Sequence, residues 1–174
     1  TNKKIKNENL ILGIPASGVH SNGYSLIRNI IKKNKININK NKFLKKQLIE
    51  PTKIYTKEFL QAHNKNLING CAHITGGGLS ENIKRIIPNN LTALIDLSKI
   101  NTLDIFKWIK NKGVSDKEML NTFNCGVGFC LIVDKTKVET IKKKFSKKYK
   151  PYVIGRIIKG SKRVKLNGKI NWKK

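Results

Sequence analysis

The residues that could do chemistry gather in three glycine-containing blocks: "PASGVHSNGYS" (15–25), "HITGGGLSEN" (73–82) and "NTFNCGVG" (121–128). Each interrupts an apolar stretch with small polar side chains. In the first, Gly18 and Gly23 permit positive φ and let a ligand approach the main chain closely. Ser21 or Asn22 can cap the helix that follows, whose free N–H groups favour an anion. His20 can donate to a phosphate or carry a proton near neutral pH. Local features alone favour a plain capped turn over a ligand site.

In the second block the consecutive glycines Gly76, Gly77 and Gly78 cost backbone entropy on folding, so something must use their freedom. Phosphate binding by backbone amides is one use. A tight strand-to-helix turn accounts for them equally well. The spacing fits neither a P-loop nor a dinucleotide fingerprint. His73 stands two residues before Thr75, on the same side of an extended strand, and reads as a satisfied core histidine. In the third block Asn121, Thr122 and Asn124 offer hydrogen bonds to an amide-like or sugar ligand. Alone, that block reads as a helix-ending turn. The sequence offers no carboxylate pair at acid/base spacing, no Ser–His–Asp order and no metal-ligand cluster. Its ten acidic residues are scattered and give no obvious magnesium site.

These blocks need elements to hold them. The hydrophobic periodicity predicts strands at 9–14, 67–75, 91–98 and 127–134, and helices at 23–33, 51–65, 80–87, 103–113, 115–123 and 137–149. Pro51 suits a first helical turn, Pro88 stops the helix before it, and Gly113 caps another. Ser115 and Glu118 have the spacing of a capping box. The stretch "NKININKNKFLKK" (34–46) is polar, lysine-rich and low in complexity, and reads as a solvated loop. "YVIGRIIKG" and "RVKLNG" read as two closing strands in an antiparallel, hairpin-like ending. Alternating strands and helices without a repeat or linker predict one α/β (α+β) domain, residues 1–174, with a mixed sheet flanked by helices.

Composition first points elsewhere. A net charge of +27 reads as nucleic-acid binding when taken alone. Yet the basic residues are 33 Lys against four Arg (Arg28, Arg85, Arg156 and Arg163), and nucleic-acid readers make more use of arginine's bidentate fork. Asn (21) and Ile (25) are inflated with Lys, and only AT-rich codons unite the three. The charge therefore reads as compositional drift, and a basic nucleic-acid-binding module is the competing reading. Cys71, Cys125 and Cys130 are an odd, sparse set. The last two, five apart, are expected on opposite faces of a strand as buried thiols in a reducing compartment. No apolar run is long enough for a membrane span, and "TNKKIKNEN" has no signal-peptide core. A start at Thr1 is the expectation for a segment of a longer or processed protein.

Together, "GIPASGVHSNGYSLIR", "PTKIYT", "AHITGGGLSENIKRIIP" and "NTFNCGVG", in this order and spacing, resemble the C-terminal half of the phosphoribosylformylglycinamidine cyclo-ligase family (aminoimidazole ribonucleotide synthetases). "HSNGYSL" alone is shared with other ATP-using enzymes of that superfamily, another member of which is a second enzyme reading. The resemblance runs from about Leu10 to the "YVIGRIIKG" strand and fades in 34–46 and at the C-terminal end. It implies a cytoplasmic enzyme of purine biosynthesis that closes formylglycinamidine ribonucleotide to aminoimidazole ribonucleotide, using ATP and Mg2+ and releasing ADP and phosphate. It also implies an N-terminal domain that supplies the dimer interface and most metal and nucleotide ligands, so this domain is expected to be inactive alone. On this reading His20 is the catalytic candidate. Ser17, Gly18, Ser21, Asn22, Gly23, Tyr24, Thr75, Gly76, Gly77, Gly78 and Asn124 are candidates to bind substrate or phosphate. Arg28 suits a phosphate contact and a surface role equally.

Overall fold

The computed structural model describes residues 4–173, so Thr1 lies outside it. Six strands form one mixed sheet: β1 (Leu10–Pro15), β2 (Gly70–His73), β3 (Leu91–Asp96), β4 (Val127–Val133), β5 (Tyr152–Lys159) and β6 (Val164–Asn167). Their order is β2-β4-β1-β5-β3-β6; β3 and β6 run parallel and the other neighbours antiparallel. The predicted hairpin ending is therefore incorrect. β3 lies between β5 and β6, because Ala93 and Ile95 pair with both strands, and β6 reaches β3 as an edge strand.

β1 and β4 sit in the centre and are buried on both faces, as their unbroken apolar runs require. Ile11, Val127, Cys130 and Ile132 face a large core shared with α1 (Tyr24–Lys33), α4 (Gly78–Lys84), α5 (Asp104–Asn111) and α6 (Asp116–Thr122). Leu12, Ile14, Leu131 and Val133 face a smaller core under α3 (Thr56–His63) and α7 (Val138–Lys142). Helix α1 buries Ile27 and Ile30, three residues apart on one face, and leaves its lysines in water.

Several boundaries differ from expectation for physical reasons. Within the expected loop 34–46 a helix forms, α2 (Lys42–Leu48). Asn41 caps it by accepting the Leu44 N–H, Asn37 caps the short turn before it, and Leu44 is wholly buried. The helix expected from Pro51 begins at Thr56 instead. Pro51–Tyr55 forms an irregular strap, since Ser17 Oγ takes up both the Pro51 carbonyl and the Lys53 N–H. Helix α4 (Gly78–Lys84) starts earlier than expected, and the glycines at its entry, Gly77 and Gly78, both adopt left-handed angles, φ 88° and 62°. Helices α5 (Asp104–Asn111) and α6 (Asp116–Thr122) lie as expected. Gly113 is left-handed and Ser115 accepts the Glu118 N–H, but the return bond of a capping box is replaced by Thr122 Oγ1 donating to Glu118. The helix expected over 137–149 shrinks to α7, where six lysines between 142 and 150 repel one another along any longer helix. Cys125 and Cys130 share one core rather than opposite faces, because Cys125 precedes β4 in a left-handed turn where strand alternation does not apply.

Candidate functional site

The three blocks end β1, β2 and α6, elements far apart in sequence. Asn124 donates through Nδ2 to the Gly18 carbonyl at 3.0 Å and accepts the Gly126 N–H at 2.8 Å, tying the third block to the first. Gly23 lies directly under Phe123, and a Cβ there would run into the ring. Gly78 faces the carbonyls of Leu120 and Phe123, where a Cβ would collide with the first and lie 3.2 Å from the second. A Cβ at Gly76 would stand 3.4 Å from Asn22 Oδ1, so the first and second blocks also meet. The Phe123–Asn124 corner is thus the hub on which the other two glycine turns close.

Within the first block, Gly23 itself is the N-cap of α1, left-handed at φ 78° and with no side-chain acceptor on the helix amides. The expected caps Ser21 and Asn22 do not fill that role, which leaves the first N–H groups of α1 without a side-chain partner. Ser21 is exposed and Asn22 half-buried. Tyr24 spends its hydroxyl on the Leu48 carbonyl at 2.8 Å, and partial burial raises its pKa. Arg28 is exposed and donates to the Tyr24 carbonyl at 3.3 Å.

In the second block the residue that holds the glycine turn is Asn82, which the sequence reading gave no role. Its buried Nδ2 donates to the carbonyls of Gly78 (2.7 Å), Gly76 (3.2 Å) and Thr75 (3.3 Å), while its Oδ1 accepts the Thr75 hydroxyl at 3.1 Å. Thr75 therefore points at Asn82. In the third block Asn121 is exposed, and Thr122 serves Glu118.

His20 is 5% exposed and stands at φ 60°, left-handed for a residue with a side chain. Its Nε2 accepts the Ser17 N–H at 3.2 Å. Its Nδ1 is buried and has no partner among the described residues. Burial in this apolar setting, helped by the neighbouring His73, lowers its pKa from 6.5 to about 4. His73 is exposed rather than a core histidine, since β2 is an edge strand whose outward face has only the strap and α3 beside it.

Tyr55 of the strap completes this corner and was also missed. Its buried hydroxyl donates to the Pro15 carbonyl at 2.9 Å, and its ring lies 6.3 Å from that of His20 and 6.1 Å from that of His73. Gly128 admits both partners, for a Cβ there would strike the Tyr55 hydroxyl and lie 2.6 Å from His20 Cε1. Lys53 fixes the strap from the other side, bonded to Glu58 at 2.8 Å and lying 5.0 Å from the Tyr149 ring. Beside the strap a groove of about 500 Å³ runs over Ile54, Tyr55, Phe59, Leu60, His73 and Phe129. Among the described residues no three His, Cys, Asp or Glu side chains meet as a metal-ligand set, and no helix is long and apolar enough to cross a membrane.

Residues 6–167 match the family model described as AIR synthase related protein, C-terminal domain. The chain is 42% identical over 161 residues to a phosphoribosylformylglycinamidine cyclo-ligase of Clostridium tetani, covering 92% of this chain and 48% of that protein. It is 36% identical over 175 residues to the trifunctional purine biosynthetic protein adenosine-3 of Gallus gallus, covering 95% of this chain and 17% of that one. It thus spans about half the length of its single-activity relatives. Among solved structures, a thiamine-monophosphate kinase from Stenotrophomonas maltophilia superposes with TM-score 0.66 at 14% identity, over 98% of this chain and 53% of that one. T. maritima PurL complexed with FGAR superposes with TM-score 0.54 at 15% identity, over 88% of this chain and 24% of that one. Both share the fold.

Proposed function

The chain belongs to the AIR synthase related protein family, as its C-terminal domain, and from that premise we propose that it forms the substrate-facing part of an ATP-dependent phosphoribosylformylglycinamidine cyclo-ligase of purine biosynthesis. The observation that carries this reading is the closure of all three glycine blocks on Phe123–Asn124. It brings a buried imidazole, the uncapped first turn of α1 and the left-handed Gly77–Gly78 turn to one corner of the sheet. Amides without side-chain partners and an unpaired buried nitrogen are what phosphate or carbonyl oxygens need.

In this reaction the formyl-amide oxygen of formylglycinamidine ribonucleotide takes the γ-phosphoryl group of ATP, and the amidine nitrogen then closes the ring as phosphate leaves. The work of the protein is positioning and charge stabilisation. Ser17, Gly18, Ser21, Asn22 and Gly23 line one wall, and Thr75 to Gly78 the other. Tyr24, Asn124 and Asn82 hold these walls in place. Among the described residues no three His, Cys, Asp or Glu side chains meet as a ligand set for the magnesium that accompanies ATP, and the part of the relatives that this chain does not span would supply its ligands. That part is the partner of this domain and forms the homodimer, with the whole in the cytoplasm. The domain alone has no cyclo-ligase turnover. Calorimetric titration of formylglycinamidine ribonucleotide into the chain tests the wall. Binding weakened by Asn22→Ala supports it, and the absence of binding to both the chain and the complete enzyme overturns it.

A further inference from the structure

The two ring nitrogens of His20 are not equivalent. Nε2 accepts the Ser17 N–H at 3.2 Å, so it carries a lone pair, and in the neutral ring the proton must sit on Nδ1. Nδ1 is buried and without a partner among the described residues. A buried N–H left unpaired costs free energy, and a left-handed histidine adds strain; both persist where a site requires them. The ring is packed as well as tethered, with Tyr55 on the strap and the backbone of Gly128 on β4 fixing its position.

We propose that His20 serves this site as a fixed, neutral hydrogen-bond donor through Nδ1, to an oxygen of the substrate or of the phosphoryl group it receives, and that Ser17 is the positioning residue that sets this tautomer. This rests on the ligase reading above for the identity of the oxygen, while the tautomer stands on the geometry alone. The arrangement excludes proton shuttling. A general base needs a free lone pair, and the single one on this ring is already taken by the Ser17 amide. Protonating Nε2 would set two N–H groups against each other. The titratable groups beside the ring are Tyr55 on the strap and His73 on β2. His73 and burial both oppose a charged ring.

Two measurements test this. Long-range 1H–15N NMR on the labelled 174-residue chain reads the tautomer directly. A protonated Nδ1 and an unprotonated Nε2, unchanged from pH 5.5 to 8.5 and retained in Ser17→Ala, which keeps the amide, are expected. An Nε2–H signal, or titration of His20 within that range, overturns the proposal even if the ligase reading stands. In the complete enzyme, His20→Asn returns an amide donor near the Nδ1 position, whereas His20→Gln places it near Nε2. His20→Gln is expected to lose about 10²–10³ in kcat, as for one lost oxyanion donor, and His20→Asn to stay within about tenfold, or 1.4 kcal/mol. Equal losses of about 10²–10⁴ in both variants, as for a removed general acid or base, or no loss in either, overturn it. A complete enzyme without cyclo-ligase activity refutes the ligase reading and leaves the NMR result untouched.

Discussion

Asn124 Nδ2 and the Gly18 carbonyl meet at 3.0 Å across 106 residues of sequence. This bond joins the turn after α6 to the turn after β1, and it is buried, so neither group has water to fall back on. Asn124→Ala strands the Gly18 carbonyl and the Gly126 N–H together. Each buried unsatisfied group costs about 1–3 kcal/mol, so a clear fall in unfolding free energy in urea is expected, with the slope against urea unchanged. A variant as stable as the parent would show that the bond does not hold the corner.

The glycines divide into those that need space and those that need only φ. Gly113 stands at φ 87° with nothing within 4 Å of a Cβ, so Gly113→Ala costs the left-handed strain alone, about 1–2 kcal/mol. Gly78→Ala carries the same strain and also forces the Leu120 carbonyl aside, which adds about 1–3 kcal/mol of overpacking. Parallel thermal melts should rank Gly78→Ala well below Gly113→Ala. Equal melting temperatures would mean that α4 and the α6 corner are not packed as described.

Stability should also depend on pH through His20. Its folded pKa, about 4, lies below its ordinary 6.5, so the unfolded chain binds the extra proton first as pH falls. The contribution is fully present above about 6.5, and declines as pH drops toward about 4. In His20→Gln this part of the acid-side slope should vanish. A slope that is the same in both proteins would place the imidazole in water.

The strap makes a local prediction. Ser17→Ala removes the acceptor of the Lys53 N–H and the donor to the Pro51 carbonyl. One such bond is worth about 1 kcal/mol net, so hydrogen exchange at Lys53 should quicken by about fivefold, while amides of β4 keep their protection. Uniform quickening would show that Ser17 supports the global fold rather than the strap.

Much of this site was legible in the sequence because glycine, small hydroxyl residues and a histidine at strand ends are costly choices with few uses. Gly76 to Gly78 and His20 announced themselves in that way. Asn82 and Asn41 did not, since asparagine is so abundant here that a structural amide looks like any other. Tyr55 was hidden for a different reason: its position depends on Ser17 pinning the strap, a contact across 36 residues. Helix α2 was masked by lysines around one buried residue, Leu44. Nothing local to "RVKLNG" could tell that β3 rather than β5 would be its neighbour.

Ring closure itself is the measurement that decides whether this chain is the substrate-facing domain of a cyclo-ligase. The N-terminal half of the Clostridium tetani relative can be joined to this chain, beside the same join to that relative's own C-terminal half as a control. Formation of aminoimidazole ribonucleotide from formylglycinamidine ribonucleotide, ATP and magnesium is then followed. ATP-dependent turnover is expected from both joined proteins, with none above background from the isolated chain. A folded chimera that stays silent while the control turns over, or turnover by the isolated chain, would contradict this assignment.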